Sequence, residues 1–316
     1  MDRRRFLLAA AVAPFVASRI PDALAAAAPL ALVTADTEAH VVAVELGTGR
    51  VRTRIPTRPG PRSIERAGRV AVVAHTDVGA VSLLDGATLS VAHVLESIEE
   101  PRYTAASRDG RHAFVTDSSR IELATIDLAR GEVVGRLKLA LWPRHLSLSP
   151  DGRTLWVGLG TASPRFAVVD VSQAERPRLR GTIVPPFPMH DVVFAPRGRR
   201  AWVTSGTAQT IAVYDAQSGR VLRELPADAA PQHVTFLDGR AFVTSGGSGT
   251  LRVYDEPSAE LLHRVTIPVG SYNVQFADGV VLTPSLDAGT LTIVDPSGRV
   301  RGSFRVAASS HDACLT

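Results

Sequence analysis

Seven apolar runs, each ending in an acidic residue and spaced 40 to 45 residues apart, predict an all-β chain folded as a seven-bladed β-propeller of four-stranded antiparallel blades. Two further observations support this fold. A Gly-containing hairpin signal recurs ahead of the runs, and the two chain ends supply complementary parts of one blade.

The runs read Val-Val-Ala-Val-Glu45, Val-Ser-Leu-Leu-Asp85, Leu-Ala-Thr-Ile-Asp127, Ala-Val-Val-Asp170, Ile-Ala-Val-Tyr-Asp215, Leu-Arg-Val-Tyr-Asp255 and Leu-Thr-Ile-Val-Asp295. An acid belongs at that point for a local reason. Its carboxylate accepts hydrogen bonds from backbone N–H groups two residues on, and a glycine often follows to supply positive φ, as at Gly219 and Gly298. These acids are therefore read as structural and not catalytic.

Earlier in the repeat, Pro-Arg or a similar pair opens a short apolar strand that ends in a turn. Pro101-Arg-Tyr-Thr-Ala-Ala-Ser-Arg-Asp-Gly110 and Pro143-Arg-His-Leu-Ser-Leu-Ser-Pro-Asp-Gly152 show it best, with degenerate copies starting at Pro61, Pro188, Pro231, Ser271 and Ser309. One blade is thus strand a, an Asp-Gly-type turn, strand b, a polar loop, strand c, the acid turn and strand d. The segment from Ser309 to Thr316 supplies only a strand a, and the segment following Pro29 supplies strands b, c and d. Residues 29–58 and 309–316 are expected to form one composite closing blade, pairing edges that would otherwise stay open.

The first 28 residues stand apart. Asp2-Arg3-Arg4-Arg5-Phe6-Leu7 opens an apolar stretch, and Ala23-Leu24-Ala25 supplies small residues for cleavage, the pattern of a Tat-type signal peptide. Export to the periplasm, cell surface or medium is expected, leaving residues 29–316 as a single propeller domain. Pro14, Arg19 and Pro21 interrupt the stretch, so no transmembrane segment is expected in the mature chain.

Past residue 28 the chain carries 31 basic and 29 acidic residues, with no basic run, and Lys138 is the only lysine. This near-neutral balance argues against nucleic acid as a partner. One cysteine, Cys314, excludes an intramolecular disulfide and a C-x-x-C-H haem attachment; its neighbours place it in a buried strand. A monomer is expected.

Ser149-Pro-Asp-Gly-Arg-Thr-Leu-Trp-Val followed by Val-Val-Asp170, and Ala201-Trp-Val-Thr-Ser-Gly followed by Ile-Ala-Val-Tyr-Asp215, resemble the consensus of the YVTN (YncE-like) repeat family. The resemblance covers essentially the whole mature chain and departs where Glu65-Arg-Ala-Gly68 replaces Asp-Gly. It implies a surface or periplasmic repeat protein. WD40 signatures are absent, as are a nucleophile elbow, an H-E-x-x-H helix, a P-loop and a dinucleotide fingerprint.

Aligning the repeats at strand a puts one residue per blade at the channel mouth: Ser63, Tyr103, His145, His190, His233, Asn273 and His311. Four of the chain's nine histidines fall in this set. Three readings remain open: imidazoles that cap strand ends, a polar pocket for an organic ligand, or a divalent metal bound by His145, His190, His233 and His311. Asp36, Asp117, Asp287, Asp191 and Asp312 are carboxylates expected on the same face. An Asp next to a His in a strand points to the opposite face, so those pairs need not touch. Tyr103, Trp142, Phe187, Met189 and Tyr272 complete a possible pocket wall. The first functional expectation is a binding or scaffold propeller holding a small ligand or protein partner at this face. The alternative is a metal-dependent lyase or lactonase-like hydrolase using the same histidines.

Overall fold

The computed structural model describes residues 29–160 and 162–316, so the signal-like segment of residues 1–28 lies outside the described residues. The described strands form seven four-stranded antiparallel sheets, the seven-bladed propeller that the repeat predicts. Six blades are continuous in sequence, over residues 61–95, 101–138, 143–183, 192–226, 234–266 and 275–305, and are numbered 1 to 6. In blade 7, Ala313–Leu315 lies innermost, followed by Leu30–Ala35, His40–Glu45 and Val51–Pro56. Leu32 pairs with Cys314 in this clasp, which joins the two ends of the chain in one sheet.

The strands form because β-branched and apolar residues fill both faces of each inner sheet. Leu30–Ala35 is buried over five consecutive positions, since a neighbouring blade covers each side. The outer Arg220–Pro226 strand is mostly exposed. Among the described residues the apolar core divides into seven clusters, one at each blade boundary. Blades 4 and 5 meet where the Trp202 ring lies 5.5 Å from that of Tyr254 and 6.0 Å from that of Phe236.

Each strand c pairs with its strand d through a register shift just before the repeated acid, as between Val213 and Tyr214. The acid then closes the turn. Asp85 Oδ1 accepts the N–H groups of Ala87 and Thr88, and Asp127 Oδ1 those of Ala129 and Arg130, all within 3.0 Å. The sheets stack around an axis, and their innermost strands carry the residues of interest.

Candidate functional site

Strand b of blades 7, 2, 4 and 5 holds a threonine that joins neighbouring blades: Thr34, Thr116, Thr204 and Thr244. Each Oγ1 accepts a backbone N–H of its own strand a, from Asp312, Tyr103, Asp191 and His233, at 2.9, 3.2, 3.1 and 3.3 Å. Each hydroxyl also donates to a carbonyl of the next blade. The acceptors are Arg62 at 3.1 Å, Arg144 at 2.8 Å, Gln232 at 2.6 Å and Tyr272. Ser63, His145, His233 and Asn273 follow those carbonyls directly, so the threonines fix where these side chains sit.

Backbone register defines two rings of seven around the axis. Ser63, Tyr103, His145, Asp191, His233, Asn273 and Asp312 form the inner ring and line a cavity of about 470 Å³. One residue earlier, outside the lining of that cavity, stand Arg62, Arg102, Arg144, His190, Gln232, Tyr272 and His311. Blade 4 shows why His190 belongs to this second set. Its N–H donates to Thr204 O while Thr204 N–H donates to Asp191 O, the pattern that Gln232, Thr244 and His233 make in blade 5. His311, Thr34 and Asp312 repeat it in blade 7. The sequence alignment, which set His190 and His311 level with His145 and His233, is corrected by one residue in these two blades.

His145, His190 and His233 nevertheless converge. One ring nitrogen from each lies within 4.8 Å of the others. The His145 ring centroid is 4.5 Å from that of His190 and 4.8 Å from that of His233. His145 is only 2% exposed, and among the described residues neither of its ring nitrogens has a hydrogen-bond partner of good geometry, although the His190 main chain pulls its pKa upward against the effect of burial. Tyr103 packs against it with ring centroids 3.9 Å apart. Burial, together with His190, His233 and Arg144, holds the His145 imidazole well below its ordinary pKa. Burial, with His233 and Arg144 near, does the same to His190. Both rings are neutral at pH 7 and present lone pairs.

Asp191 reaches across the blade boundary to His233, its Oδ2 3.1 Å from Nδ1. In the tautomer with its hydrogen on Nδ1, His233 donates that N–H to the carboxylate and presents Nε2, the arrangement in which acids behind a ligating imidazole orient it. His190 packs directly against Gly206. A Cβ on Gly206 would fall 2.7 Å from His190 Cβ, and the glycine φ of +69° is one that side-chain-bearing residues rarely adopt.

His311 is not part of this triad. Its Nδ1 lies 3.4 Å from Asp36 Oδ2, and Arg62 Nη1 lies 4.0 Å from the same oxygen. Burial lowers the His311 pKa against the pull of Asp36. Asp117 is occupied structurally, accepting the N–H groups of Glu99, Glu100 and Arg120. Asp287 sits against Gly270. Asn273 Nδ2 donates to His311 O at 2.8 Å. Trp142 is 37% exposed and Tyr272 lies against Gly246, whereas Phe187 and Met189 are buried in the core between blades 3 and 4.

Sequence reasoning did not single out Glu65. It lines the cavity two residues beyond Ser63, and burial, with Asp312 nearby, pushes its carboxyl up to about 8. Burial likewise raises Asp312 to about 6, although its carboxylate accepts the N–H groups of Ile64 and Ala313. The signal was the two-residue alternation along strand a, which brings the position after the ring residue back to the channel.

No family model matches the sequence. Over 137 residues the chain is 33% identical to the seven-bladed beta-propeller protein Rv1057 of Mycobacterium tuberculosis, a match covering 40% of this chain and 35% of that one. The chain thus spans about a third of the curated relative's length. Among solved structures it is similar to hydrazine synthase of Kuenenia stuttgartiensis, with a TM-score of 0.73 at 18% identity over 84% of this chain and 92% of that one. It is also similar to a candidate 6-phosphogluconolactonase of Bacteroides fragilis, at TM-score 0.74 and 12% identity over 93% and 100% of the two chains. A functionally unknown protein from Desulfotomaculum acetoxidans aligns at TM-score 0.79 and 10% identity over 90% and 98%. At these identities the likeness is one of fold. Fold and comparisons together define a seven-bladed β-propeller. Among the described residues no helix is long and apolar enough to cross a membrane.

Proposed function

We propose that this chain is an exported, YVTN-like binding propeller that holds a small ligand at a divalent transition-metal ion carried by His145, His190 and His233. One observation carries the reading. Three imidazoles converge in a channel, and the most buried of them, His145, has two nitrogens with no hydrogen-bond partner of good geometry among the described residues. An orphaned buried polar atom is costly unless something occupies it. The donor set suits zinc and its neighbours, which accept three imidazoles and keep a fourth position open. The span of 4.8 Å exceeds the roughly 3.4 Å expected between nitrogens 2.0–2.1 Å from one tetrahedral ion. Binding therefore requires the three rings to draw closer together. The ion, when bound, would supply a Lewis acid; Asp191 holds the His233 tautomer and Tyr103 shields His145.

Metal analysis of protein purified without an affinity tag, with zinc titration by calorimetry, tests this. Stoichiometric metal that is lost in His145→Ala and His233→Ala supports it. Metal-free protein that takes up no zinc removes it. Export rests on the Arg3-Arg4-Arg5 segment and is tested by fusing residues 1–28 to a folded reporter in Tat-competent and Tat-deficient cells.

A second reading, a metal-assisted hydrolase or lyase, is favoured by Glu65. A carboxyl kept protonated near neutral pH inside the cavity is suited to donate a proton to a leaving group. Turnover of lactone substrates that disappears in Glu65→Gln, while zinc binding persists, would select this reading over simple binding.

A further inference from the structure

The cavity that holds the inner ring runs from there toward the hairpins between strands a and b. The ring residues Asp191, Asn273 and Asp312 are buried, whereas Arg108, Pro196 and Phe276 at the hairpin end are exposed, Phe276 by 59%. Three carboxyl groups line the cavity, those of Glu65, Asp191 and Asp312, against one guanidinium, that of Arg108 in the turn after Pro101–Ala106. Asp191 is engaged by His233. Glu65 and Asp312 are neighbours across the boundary of blades 1 and 7, because Asp312 Oδ2 accepts the N–H of Ile64, the residue before Glu65, at 3.1 Å. Among the described residues the Glu65 carboxyl makes no hydrogen bond or ion pair. A second, independent observation on the same lining points to a ligand. Thr104 on the adjacent blade 2 is only 8% exposed, and its buried Oγ1 has no hydrogen-bond partner among the described residues. Val193, Phe236 and Phe276, from blades 4, 5 and 6, add apolar surface.

We propose that the cavity binds an organic amine with an apolar body, its ammonium set between Glu65 and Asp312 and its body extending along Phe236 and Phe276 toward the hairpin end. The inference goes beyond the metal reading and does not rest on it, since none of His145, His190 and His233 takes part. An ammonium suits the place because it carries three donors and no acceptor, while carboxylate oxygens and the Thr104 hydroxyl can all accept. A cation is favoured over an anion of the same shape. The acids stand at the buried end, where charges act most strongly, and Arg108 stands in the exposed turn. Burial, with Asp312 near, raises the Glu65 carboxyl to about 8. Cys314 on the inner strand of blade 7 and Arg66 on the same strand as Glu65 are further ionisable groups close to it. A bound cation offsets that burial, so Glu65 ionises as the amine arrives. The cavity of about 470 Å³ is of the size that small organic ligands occupy.

Calorimetric titration of the purified protein, without added metal, tests this at pH 8, where Glu65 is half ionised. Three probes share one body and differ in charge: phenethylamine, phenethyl alcohol and hydrocinnamate. The amine should bind at least tenfold tighter than either of the others. Glu65→Gln should weaken the amine at least tenfold and leave the alcohol unchanged, and Thr104→Val should weaken the amine by a smaller factor. A cooperative melt shows that each variant is folded, and the comparison of probes on the parent protein needs no variant. An amine no tighter than the alcohol, or a tighter hydrocinnamate, overturns the proposal. So does a folded Glu65→Gln variant with undiminished affinity for the amine. Zinc uptake enters none of these outcomes, so the metal centre stands or falls separately.

Discussion

Asp191 belongs to blade 4, yet its carboxylate bonds to the ring of His233 in blade 5, Oδ2 to Nδ1 at 3.1 Å. The acid that follows one histidine in sequence therefore orients another, 42 residues further along the chain. Replacing it isosterically isolates the electronic part of the contact. Asp191→Asn should keep the fold and weaken zinc binding by about 10- to 100-fold, as loss of an outer-shell carboxylate does elsewhere. Calorimetric titration checks this; an unchanged affinity would show that Asp191 does not tune the site.

The threonine links should matter for stability. Thr204→Val preserves shape but leaves the Asp191 N–H and the Gln232 carbonyl without their hydroxyl partner. A loss of about 1–3 kcal/mol follows from stranding buried groups. Urea unfolding of Thr204→Val beside the conservative Thr204→Ser measures it, and a valine variant as stable as the serine one would contradict the role.

Closure of blade 7 depends on Ala313–Leu315 alone beside Leu30–Ala35. Deleting residues 309–316 exposes the strand at Leu30–Ala35 and the core side of Ile64, and should lower the melting temperature by about 10 °C or more. A calorimetric scan showing an unaltered transition would count against the clasp.

Glu65 gives a pH dependence whose sign can be stated. Its carboxyl is raised to about 8 in the folded protein from an ordinary value of 4.5, so the folded state binds the proton more tightly than the unfolded chain. Its contribution is complete below about pH 4.5 and is lost as pH rises through about 8. Asp312, raised to about 6, adds to the same slope, and Cys314 and Arg66 lie nearby. Glu65→Gln should flatten the decline between pH 5 and 8, worth on the order of a few kcal/mol. Melting curves at several pH values decide it, a slope identical in the variant being the adverse result.

His145 offers the opposite trade between site and scaffold. With both nitrogens buried and without a hydrogen-bond partner of good geometry among the described residues, the ring stabilises the metal-free protein less than an apolar ring would. His145→Phe should therefore melt higher than the metal-free parent and bind no zinc; a lower melting temperature would mean that the imidazole has a structural partner.

The blade count, the four-stranded unit and the composite closing blade were all legible in the sequence. Periodicity encodes them redundantly, in both the acid turns and the strand-a openings. The ring register was legible in five blades and shifted by one in blades 4 and 7. There His190-Asp191 and His311-Asp312 offered a histidine where the backbone places the aspartate. Side-chain identity drew the alignment to His, but position is set by main-chain pairing with Thr204 and Thr34, which composition does not reveal. The contact from Asp191 to His233 was hidden for a related reason: it joins side chains from different sheets, and no local spacing rule reaches across a blade boundary.

Because the threonine hydroxyls grip only main-chain atoms, the addresses around the axis are specified separately from their occupants. Asp312 and Asn273 also bond to the main chain of a neighbouring blade, at Ile64 and His311, but an inward side chain without such a bond can be exchanged without disturbing the scaffold's own fastening. Selection could thus rewrite the contents of such a channel one place at a time, so that related propellers share an outline and carry unrelated chemistries.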